Sequence, residues 1–202
     1  MARRAGSIGS ETARDIRAAA LRLFARHGYA AVSMRQIAAA VGIRAGALYN
    51  HFPTKQDILR ELMVGHMEAL IGAWERESFR FVDPVAALEG FVRFHIRYHL
   101  DKADAVFLAY MELRSLEPDN FRAVDRLRQY YEGCLRKILA RGSADGAFTV
   151  ADVPVGAMAI IAMLTGLNCW FRAGGRLGVD AIAEIYVRMA LGSVGARLAA
   201  PA

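Results

Sequence analysis

The side chains best suited to chemistry lie close together in the segment from Ser33 to Lys55. It carries hydroxyl, guanidinium, amide and ammonium groups, which hydrogen-bond to phosphates and to the edges of bases. The guanidinium of Arg44 can bind guanine in a major groove, although a phosphate contact by the same side chain is equally open. The small side chain of Ala45 can meet the methyl group of thymine. These residue types therefore suggest recognition of a nucleic acid.

The distribution of charge points to the same segment. Residues 1–60 hold ten Lys and Arg against three Asp and Glu, whereas residues 61–202 hold sixteen against seventeen. The net charge of +6 therefore comes from the first sixty residues. Such a footprint favours a polyanionic partner, because binding to it releases counterions. The alternative is a solvated basic face on the first helix.

Two short helices are predicted to position these groups. Ser33 and Gln36 have the spacing of a capping box, which starts the first of them. Gly42 follows this helix, where a sharp turn favours a residue without a side chain. The second helix ends before Pro53, because proline disfavours helix in the residue that precedes it. The pattern is that of a helix-turn-helix, whose second helix can lie in the major groove of DNA.

Helical periodicity continues on both sides of this segment. A first helix over residues 11–27 would brace the helix-turn-helix, and a long helix from Thr54 to about Arg76 links it to the remainder. Thr54 and Asp57 have capping spacing at the start of this long helix. The other predicted helices cover residues 83–100, 104–116, 121–141, 152–171 and 180–198. Asp83 is the expected N-cap of the first of these, and Gly142 is the expected stop after the third. No stretch has the alternation of a convincing strand, so the predicted fold class is all-α with about nine helices.

Residues 33–55, SMRQIAAAVGIRAGALYNHFPTK, resemble the DNA-binding domain of the TetR/AcrR family of one-component transcriptional regulators, and the preceding LFARHGYAAVS fits the same pattern. The resemblance covers roughly the first quarter to third of the chain. It implies phosphate contacts for Ser33, Tyr49, His51 and Lys55. It implies groove-facing positions for Arg44, Ala45, Gly46 and Asn50. A basic residue of the same segment, Arg35, completes the candidate DNA-binding set.

Three of these positions carry particular expectations. The family often has a small hydroxyl residue where this chain has Arg44, so we expect the recognition helix to lack a side-chain cap. Tyr49 can contact phosphate, as the resemblance implies, or pack at the edge of the unit. Lys55 opposes the helix dipole at a helix start, which favours a phosphate contact over a stabilising role.

The resemblance also implies the organisation of the whole chain. We expect a flexible basic arm over residues 1–10, a helix-turn-helix DNA-binding domain over residues 11–53, and a ligand-binding and dimerisation domain over residues 54–202. Arg3 and Arg4 of the arm can reach a DNA groove or phosphate. The last two helices are similar to those that form the homodimer interface in family members. The same C-terminal sequence is similar to members that control acyl-CoA or steroid breakdown.

Apolar, aromatic and a few polar residues of the central helices are candidates for lining a ligand cavity. Pockets of this kind are mostly apolar with a few placed polar groups. The same residues can equally form a plain core. The candidate lining residues are Met63, His66, Met67, Leu70, Trp74, Phe91, Phe94, His95, Tyr98, Phe107, Tyr110, Met111, Met163 and Asn168.

Patterns for catalysis and metal binding are weak. His95 and His99 are four residues apart on one predicted helix and with His66 can form a metal site, although the polar edge of a core is the simpler interpretation. No paired carboxylates, GxSxG or phosphate-cradling loop stand out. We therefore expect no enzymatic activity, no metal and no cofactor.

Cysteine content and hydropathy bear on location. Two cysteines are too few for a disulfide framework and suit a reducing cytoplasm. The most apolar stretch, residues 153–171, is interrupted by Pro154, Thr165 and Asn168, so we expect no membrane span. This stretch is apolar nearly all round, which predicts burial on more than one side.

Together these features indicate a homodimeric, cytoplasmic transcriptional regulator that binds double-stranded operator DNA. We expect a repressor that a small, largely apolar or acyl-type ligand releases from the operator. An activator with the same architecture fits the sequence too. The alternative from another class is a helical small-molecule-binding protein or enzyme with a vestigial helix-turn-helix, against which the charge distribution argues.

Overall fold

The computed structural model describes the backbone of residues 3–196 and the side chains of residues 9–196. It is helical and contains no strand within that range. This confirms the predicted all-α class. The α-helices are α1 (Arg3–His27), α2 (Met34–Val41), α3 (Ala45–Tyr49), α4 (Lys55–Ser78), α5 (Pro84–Asp101), α6 (Ala103–Met111), α7 (Pro118–Ala144), α8 (Val153–Thr165), α9 (Leu167–Trp170) and α10 (Val179–Ser193), with a 3-10 turn at Leu113–Ser115.

The chain forms two compact units. The first is drawn from residues 1–67 and 104–126, the second from residues 68–103 and 127–202. The predicted boundary at Thr54 marks the start of α4, whereas the first unit also takes in part of α4, all of α6 except Ala103, and the beginning of α7. Periodicity indicates where helices begin, but it cannot show which helices pack together, and the two divisions differ for this reason.

Local signals place the helix ends of the first unit where the sequence predicts them. The Gln36 amide donates to the Ser33 hydroxyl at 3.3 Å and the Ser33 amide donates to the Gln36 side chain at 2.8 Å, which completes the capping box. Gly42 ends α2 in the left-handed conformation, with φ of 75°. Thr54 and Asp57 form a similar reciprocal pair before α4. These bonds satisfy amides that a helix start leaves unpaired.

Apolar side chains of α1 to α4 form the core of the first unit. Its fully buried members include Ile16, Phe24, Ile37, Leu48 and Ile58. Helix α2 contacts both α1 and α3. The core therefore fixes α3 through its buried side and leaves the other residues of that short helix at the surface.

Helix α1 begins at Arg3, before the predicted start at Glu11, so a helix rather than a flexible arm covers residues 3–10. This segment contains no proline, and its two glycines each oppose helix by only about 1 kcal/mol. A helix formed from Glu11 onward can therefore extend towards the N-terminus. The side chains of Arg3 and Arg4 lie outside the described residues, and their contact with DNA stays a prediction.

Helix α5 is the element against which much of the second unit packs, since it contacts α8, α9 and α10. Its start is capped by the Asp83 carboxylate, which accepts a hydrogen bond from the Ala86 amide at 2.8 Å. Trp74 of α4 packs on two rings of α5, with centroids 5.0 Å from Phe91 and 5.4 Å from Phe94. These aromatic contacts build the core at this end of the unit.

Helix α7 continues past the predicted end at Gly142 as far as Ala144. A Cβ atom at position 142 would lie 2.0 Å from the ring of Phe148, so glycine is needed there for close packing. Gly146, with φ of 71°, lies in the turn that follows the helix. The glycine that suggests a helix stop in the sequence is thus a packing glycine.

The predicted helix over residues 152–171 is interrupted at Gly166, which divides it into α8 and α9 and gives ten α-helices among the described residues. The prediction of burial on several sides is wrong for the single chain, because only 22% of the stretch Val153–Trp170 is buried. This stretch of 18 residues, with mean hydropathy 1.6, also meets the length and composition of a membrane span, contrary to our expectation. Helices of soluble proteins can meet the same test. Most of this apolar stretch lies at the surface of the single chain.

Candidate nucleic-acid interface

Four of the nine predicted DNA-binding residues surround one open groove on the first unit. Ser33, Arg35, Tyr49 and Lys55 line it together with the loop that precedes α2, and its volume is about 590 Å³. Tyr49 is 50% exposed, so a large part of this residue meets solvent. The groove brings hydroxyl, guanidinium, phenol and ammonium groups to one surface, and these are groups that bind phosphate oxygens.

Helix α3 supplies the rest of the predicted set. Leu48 anchors this five-residue helix in the core, while Gly46 and the following Asn50 are exposed. Ala45 and His51 are half-buried. Arg44 is the N-cap residue, with an extended backbone and no side-chain capping bond, which confirms the expected loss of a cap. The exposed guanidinium of Arg44 is therefore not used to start the helix.

Lys55 has a stabilising role, contrary to the expectation from the helix dipole. Its ammonium donates to the carbonyl oxygens of Tyr29 at 2.9 Å and Val32 at 2.8 Å, and lies 4.1 Å from the centre of the Tyr29 ring. Burial lowers the pKa of Lys55 below its ordinary value, and the nearby Glu112 carboxylate opposes that shift. The side chain reaches away from its own helix start and ties α4 to the loop before α2. Any phosphate contact is additional to this role.

Sequence reasoning missed Tyr29, which lies two residues beyond the end of α1 at His27. Its amide donates to Glu112 Oε1 at 3.0 Å, and its hydroxyl accepts from Gln56 Nε2 at 3.0 Å. Burial raises the pKa of the Tyr29 phenol, while the hydrogen bond with Gln56 acts in the opposite direction. The only signal in the sequence is a tyrosine after a helix stop, which does not indicate partners this far along the chain.

The predicted ligand-lining residues are divided between the two units. The first unit contains Met63, His66, Met67, Phe107, Tyr110 and Met111. The second contains Leu70, Trp74, Phe91, Phe94, His95, Tyr98, Met163 and Asn168. Phe107 and Met111 are exposed, because one face of the short helix α6 meets solvent in the single chain. These two residues therefore do not line an enclosed site there.

Part of this set forms a buried polar network in the second unit. The rings of His95 and His99 stack with centroids 3.7 Å apart, and both residues are almost completely buried. The ring nitrogens of His95 lie 3.1 Å from Tyr131 Oη and 3.3 Å from Thr165 Oγ1. His99 Nδ1 lies 2.9 Å from the carbonyl oxygen of His95 and donates to it. The two histidines thus have polar partners inside an apolar core.

Two clefts of the second unit include other members of the predicted set. One has a volume of about 340 Å³ and is bounded by Trp74, Phe81 and Tyr130 among others. The second, of about 410 Å³, is bounded by residues that include Phe94 and Tyr98. Trp74, Phe94 and Tyr98 therefore combine a place in the aromatic packing with access to a cleft.

The fold and the groove define a helix-turn-helix protein built to bind DNA, and comparison with known proteins identifies its family. Residues 16–62 match the family described as bacterial regulatory proteins, tetR family. Residues 82–194, more than half of the chain, match the tetracyclin repressor-like C-terminal domain. The chain belongs to the TetR family and is a DNA-binding transcriptional regulator, as the sequence predicts.

Individual relatives are similar over most of their length. The HTH-type transcriptional repressor KstR2 of Rhodococcus jostii (strain RHA1) is 28% identical over 171 residues, which are 84% of each chain. A solved regulatory protein of the tetR family from Rhodococcus RHA1 has a TM-score of 0.87 and 29% identity, and covers 93% of this chain and 98% of its own. AibR in complex with isovaleryl coenzyme A and operator DNA has a TM-score of 0.78 and 26% identity, over 88% and 97% of the two chains.

Proposed function

We propose that this chain is a cytoplasmic, homodimeric repressor that binds a near-palindromic operator and leaves it when a small, largely apolar ligand binds. The observation that carries the proposal is the groove of the first unit, where four predicted DNA-binding side chains converge. The similarity to the repressor KstR2 over 84% of the chain supports repression as the direction of control.

The proposed DNA contacts are of two kinds. Phosphate contacts, which position the protein on the duplex, come from Ser33, Arg35, Tyr49, His51 and Lys55. Base reading comes from Arg44 at the start of α3, whose guanidinium is suited to the O6 and N7 atoms of guanine. The other residues proposed to face the major groove of DNA are Ala45, Gly46 and Asn50.

A second copy of the chain is the proposed cover for the apolar surface of α8 and α10. These two helices contact each other, and Val155, Met158 and Met189 are about half exposed. Contiguous apolar patches of this kind on soluble proteins mark interfaces. An operator with two half-sites also needs two recognition helices about one DNA turn apart. Dimerisation through these helices meets both requirements.

The effector is proposed to bind in the second unit and to be apolar or acyl-type. AibR, which is similar over 88% of this chain, is solved with isovaleryl coenzyme A as well as operator DNA. The aromatic cluster around Trp74 and Phe91 offers apolar surface, and the network at His95 offers a few polar groups, which is the composition of a ligand site. Such a ligand lowers operator affinity only by preferring a protein state that binds DNA less well.

Binding to DNA that flanks the chain's own gene tests the proposal directly. Fluorescence anisotropy over a range of salt should show sequence-specific binding, with log affinity falling linearly with log salt concentration. A scrambled duplex of the same length and composition is the control. Equal affinity for both duplexes would overturn the regulator proposal for that DNA region, and a genome-wide selection of bound fragments with no enriched sequence would overturn it altogether.

The dimer and the effector are tested separately. Native mass spectrometry of the purified protein should give the mass of two chains, with any retained small molecule as an added mass. Isovaleryl coenzyme A and longer acyl thioesters are then titrated into the operator complex, with coenzyme A alone as the matched control. Release by the thioesters but not by coenzyme A supports an acyl-type effector, and no release by any of them contradicts it.

A further inference from the structure

Tyr29, in the loop between α1 and α2, contacts three other elements of the first unit through different groups of one residue. Its amide donates to Glu112 at 3.0 Å, its carbonyl accepts from Lys55 at 2.9 Å, and its hydroxyl accepts from Gln56 at 3.0 Å. Its ring packs edge-on against Phe24 of α1, with centroids 5.2 Å apart. The loop between α1 and α2 is thus held through Tyr29 from α1, from the start of α4 and from the residue that follows α6.

The same bonds continue into the corner between α6 and α7. The Glu112 carboxylate accepts a second hydrogen bond from the Ser115 hydroxyl at 2.6 Å. Gln56 Nε2 donates to the Ser115 carbonyl at 2.7 Å, and Gln56 Oε1 accepts from the Glu117 amide at 3.1 Å. We refer to Tyr29, Gln56, Glu112 and Ser115 as the Tyr29 joint. All four belong to the first compact unit.

The Tyr29 joint adjoins the candidate DNA groove through shared residues. The loop that follows Tyr29 forms one wall of the groove and ends at Ser33, while Lys55 lines the groove and also holds the carbonyls of Tyr29 and Val32. Part-buried backbone groups of this loop need these partners, because an unpaired polar group away from water is costly. The position of the groove wall therefore depends on the joint.

We infer that Glu112 and Gln56 are positioning residues for operator binding, which act through Tyr29 and Lys55 and themselves touch no DNA. The inference rests on the proposed placement of the phosphate contacts in the groove. It makes the corner between α6 and α7 a part of the DNA-binding apparatus, although it lies more than fifty residues beyond the helix-turn-helix in the sequence. Loosening this corner moves the loop before α2 and misplaces Ser33 and Lys55 relative to phosphates.

Long-range electrostatics and a positioning role predict opposite effects on DNA binding when Glu112 is substituted. The Glu112 carboxylate and the Lys55 ammonium both hydrogen-bond to the backbone of Tyr29, so Glu112 places a negative group near the basic groove. Removing a negative charge strengthens binding to DNA if only long-range electrostatics matter. Removing a positioning group weakens it. The two explanations therefore predict opposite changes for the same substitution.

The decisive comparison is between Glu112→Ala and Glu61→Ala. Glu61 lies in the same unit, is exposed, and forms an ion pair with Arg17 at 3.1 Å. Glu61→Ala therefore changes the net charge by the same amount as Glu112→Ala but leaves the Tyr29 joint intact. We expect Glu112→Ala to weaken operator binding roughly tenfold, as loss of a hydrogen-bonded charged acceptor does. Glu61→Ala should bind as wild type or slightly more tightly. Equal or tighter operator binding by Glu112→Ala would overturn the inference.

Milder variants separate positioning from a loss of folding. Glu112→Gln keeps one acceptor oxygen, Tyr29→Phe removes only the hydroxyl, and Gln56→Ala changes no charge. All three should weaken operator binding less than Glu112→Ala. They should lower the slope of log affinity against log salt by up to about one, the change expected for one phosphate contact. These slopes are measured well below each unfolding midpoint. A lowered midpoint with wild-type affinity and slope in every variant would show a purely structural role and would overturn the inference.

The wild-type measurement separates this inference from the proposed function. If wild type does not bind any DNA sequence-specifically, the proposed function fails. If wild type binds its operator and the variants of the Tyr29 joint bind it equally well, the proposed function stands and the positioning role fails alone.

Discussion

The groove of the first unit and the α8–α10 surface of the second unit are both exposed, yet they differ completely in chemistry. The groove and the adjoining start of α3 carry Arg35, Arg44 and Lys55. The other surface includes Val155 and Met158, in a stretch from residue 153 to 170 that contains no charged residue. A single chain therefore offers water one basic surface and one strongly apolar surface.

This difference matches the proposed roles of the two surfaces, DNA binding and dimerisation. Contacts with phosphates exchange with counterions and can be formed and broken as conditions change. Apolar area removed from water contributes about 25 cal/mol per Å² and favours lasting association. The basic surface is thus suited to an interface that must open on a signal, and the apolar surface to one that stays closed.

The largest effect is expected from Met158→Glu in α8. A buried carboxylate at the proposed dimer interface should dissociate the dimer and weaken operator binding more than about a hundredfold, because a single head binds one half-site without the gain from linkage. Sedimentation velocity and fluorescence anisotropy measure the two quantities. Val82→Glu is the control, since Val82 is 80% exposed in the loop before α5. A Met158→Glu protein that stays dimeric would contradict the proposed interface.

A second effect concerns base reading by Arg44. Arg44→Ala should reduce the preference for operator over altered duplexes by roughly tenfold, because a bidentate contact with guanine contributes about 1–3 kcal/mol of discrimination. Arg35→Ala, a loss of the same charge in the groove, should instead weaken all sequences alike. Affinities for a set of single-base operator variants provide the measurement. An equal loss on every sequence for Arg44→Ala would remove it from base reading.

Lys55→Ala should change both DNA binding and stability. Loss of the proposed phosphate contact should lower the salt slope by about one on every DNA sequence. The carbonyls of Tyr29 and Val32 lose their common donor as well, which costs about 1–3 kcal/mol of unfolding free energy for a part-buried acceptor. Thermal or urea unfolding measures this cost. Lys137→Ala, at an exposed lysine of the second unit, should change neither quantity.

The smallest effect compares one half-buried tyrosine of each unit at high pH. Burial is the main cause that raises the pKa of Tyr29 and of Tyr98 above the ordinary value. A raised folded-state pKa favours folding while the phenol is protonated, so this contribution is complete below about pH 10 and is lost as the pH rises further. Each effect should be roughly a few tenths of a kcal/mol, because solvent screens both side chains.

Unfolding free energies between pH 8 and 11 test this titration. The difference between wild type and Tyr29→Phe, or Tyr98→Phe, should be constant up to about pH 9 and should shrink above about pH 10. A difference that grows with pH in that range would mean that the folded state does not retain the phenol proton.

Sequence reasoning succeeded where the determinants lie within one helical turn. The caps at Ser33, Thr54 and Asp83 depend on a partner three residues away, and all three are present in the structure. The prediction of a helix stop failed at Gly142, where a glycine is needed because any Cβ would clash with the ring of Phe148. The prediction of burial for the stretch from residue 153 also failed. An apolar helix predicts burial, but its sequence does not indicate whether the same chain or another chain packs against it.

The sequence by itself determined the helix starts, the basic first sixty residues and the family resemblance, because each depends on neighbouring residues or on composition. Tertiary structure decided that Lys55 holds a loop as well as lining a groove, and that Tyr29 meets Glu112 across 83 positions of sequence. It also decided that α6 belongs with the DNA-binding helices. Local hydrogen bonds form wherever the right residues are adjacent, whereas long-range partners exist only after the chain has packed and excluded water.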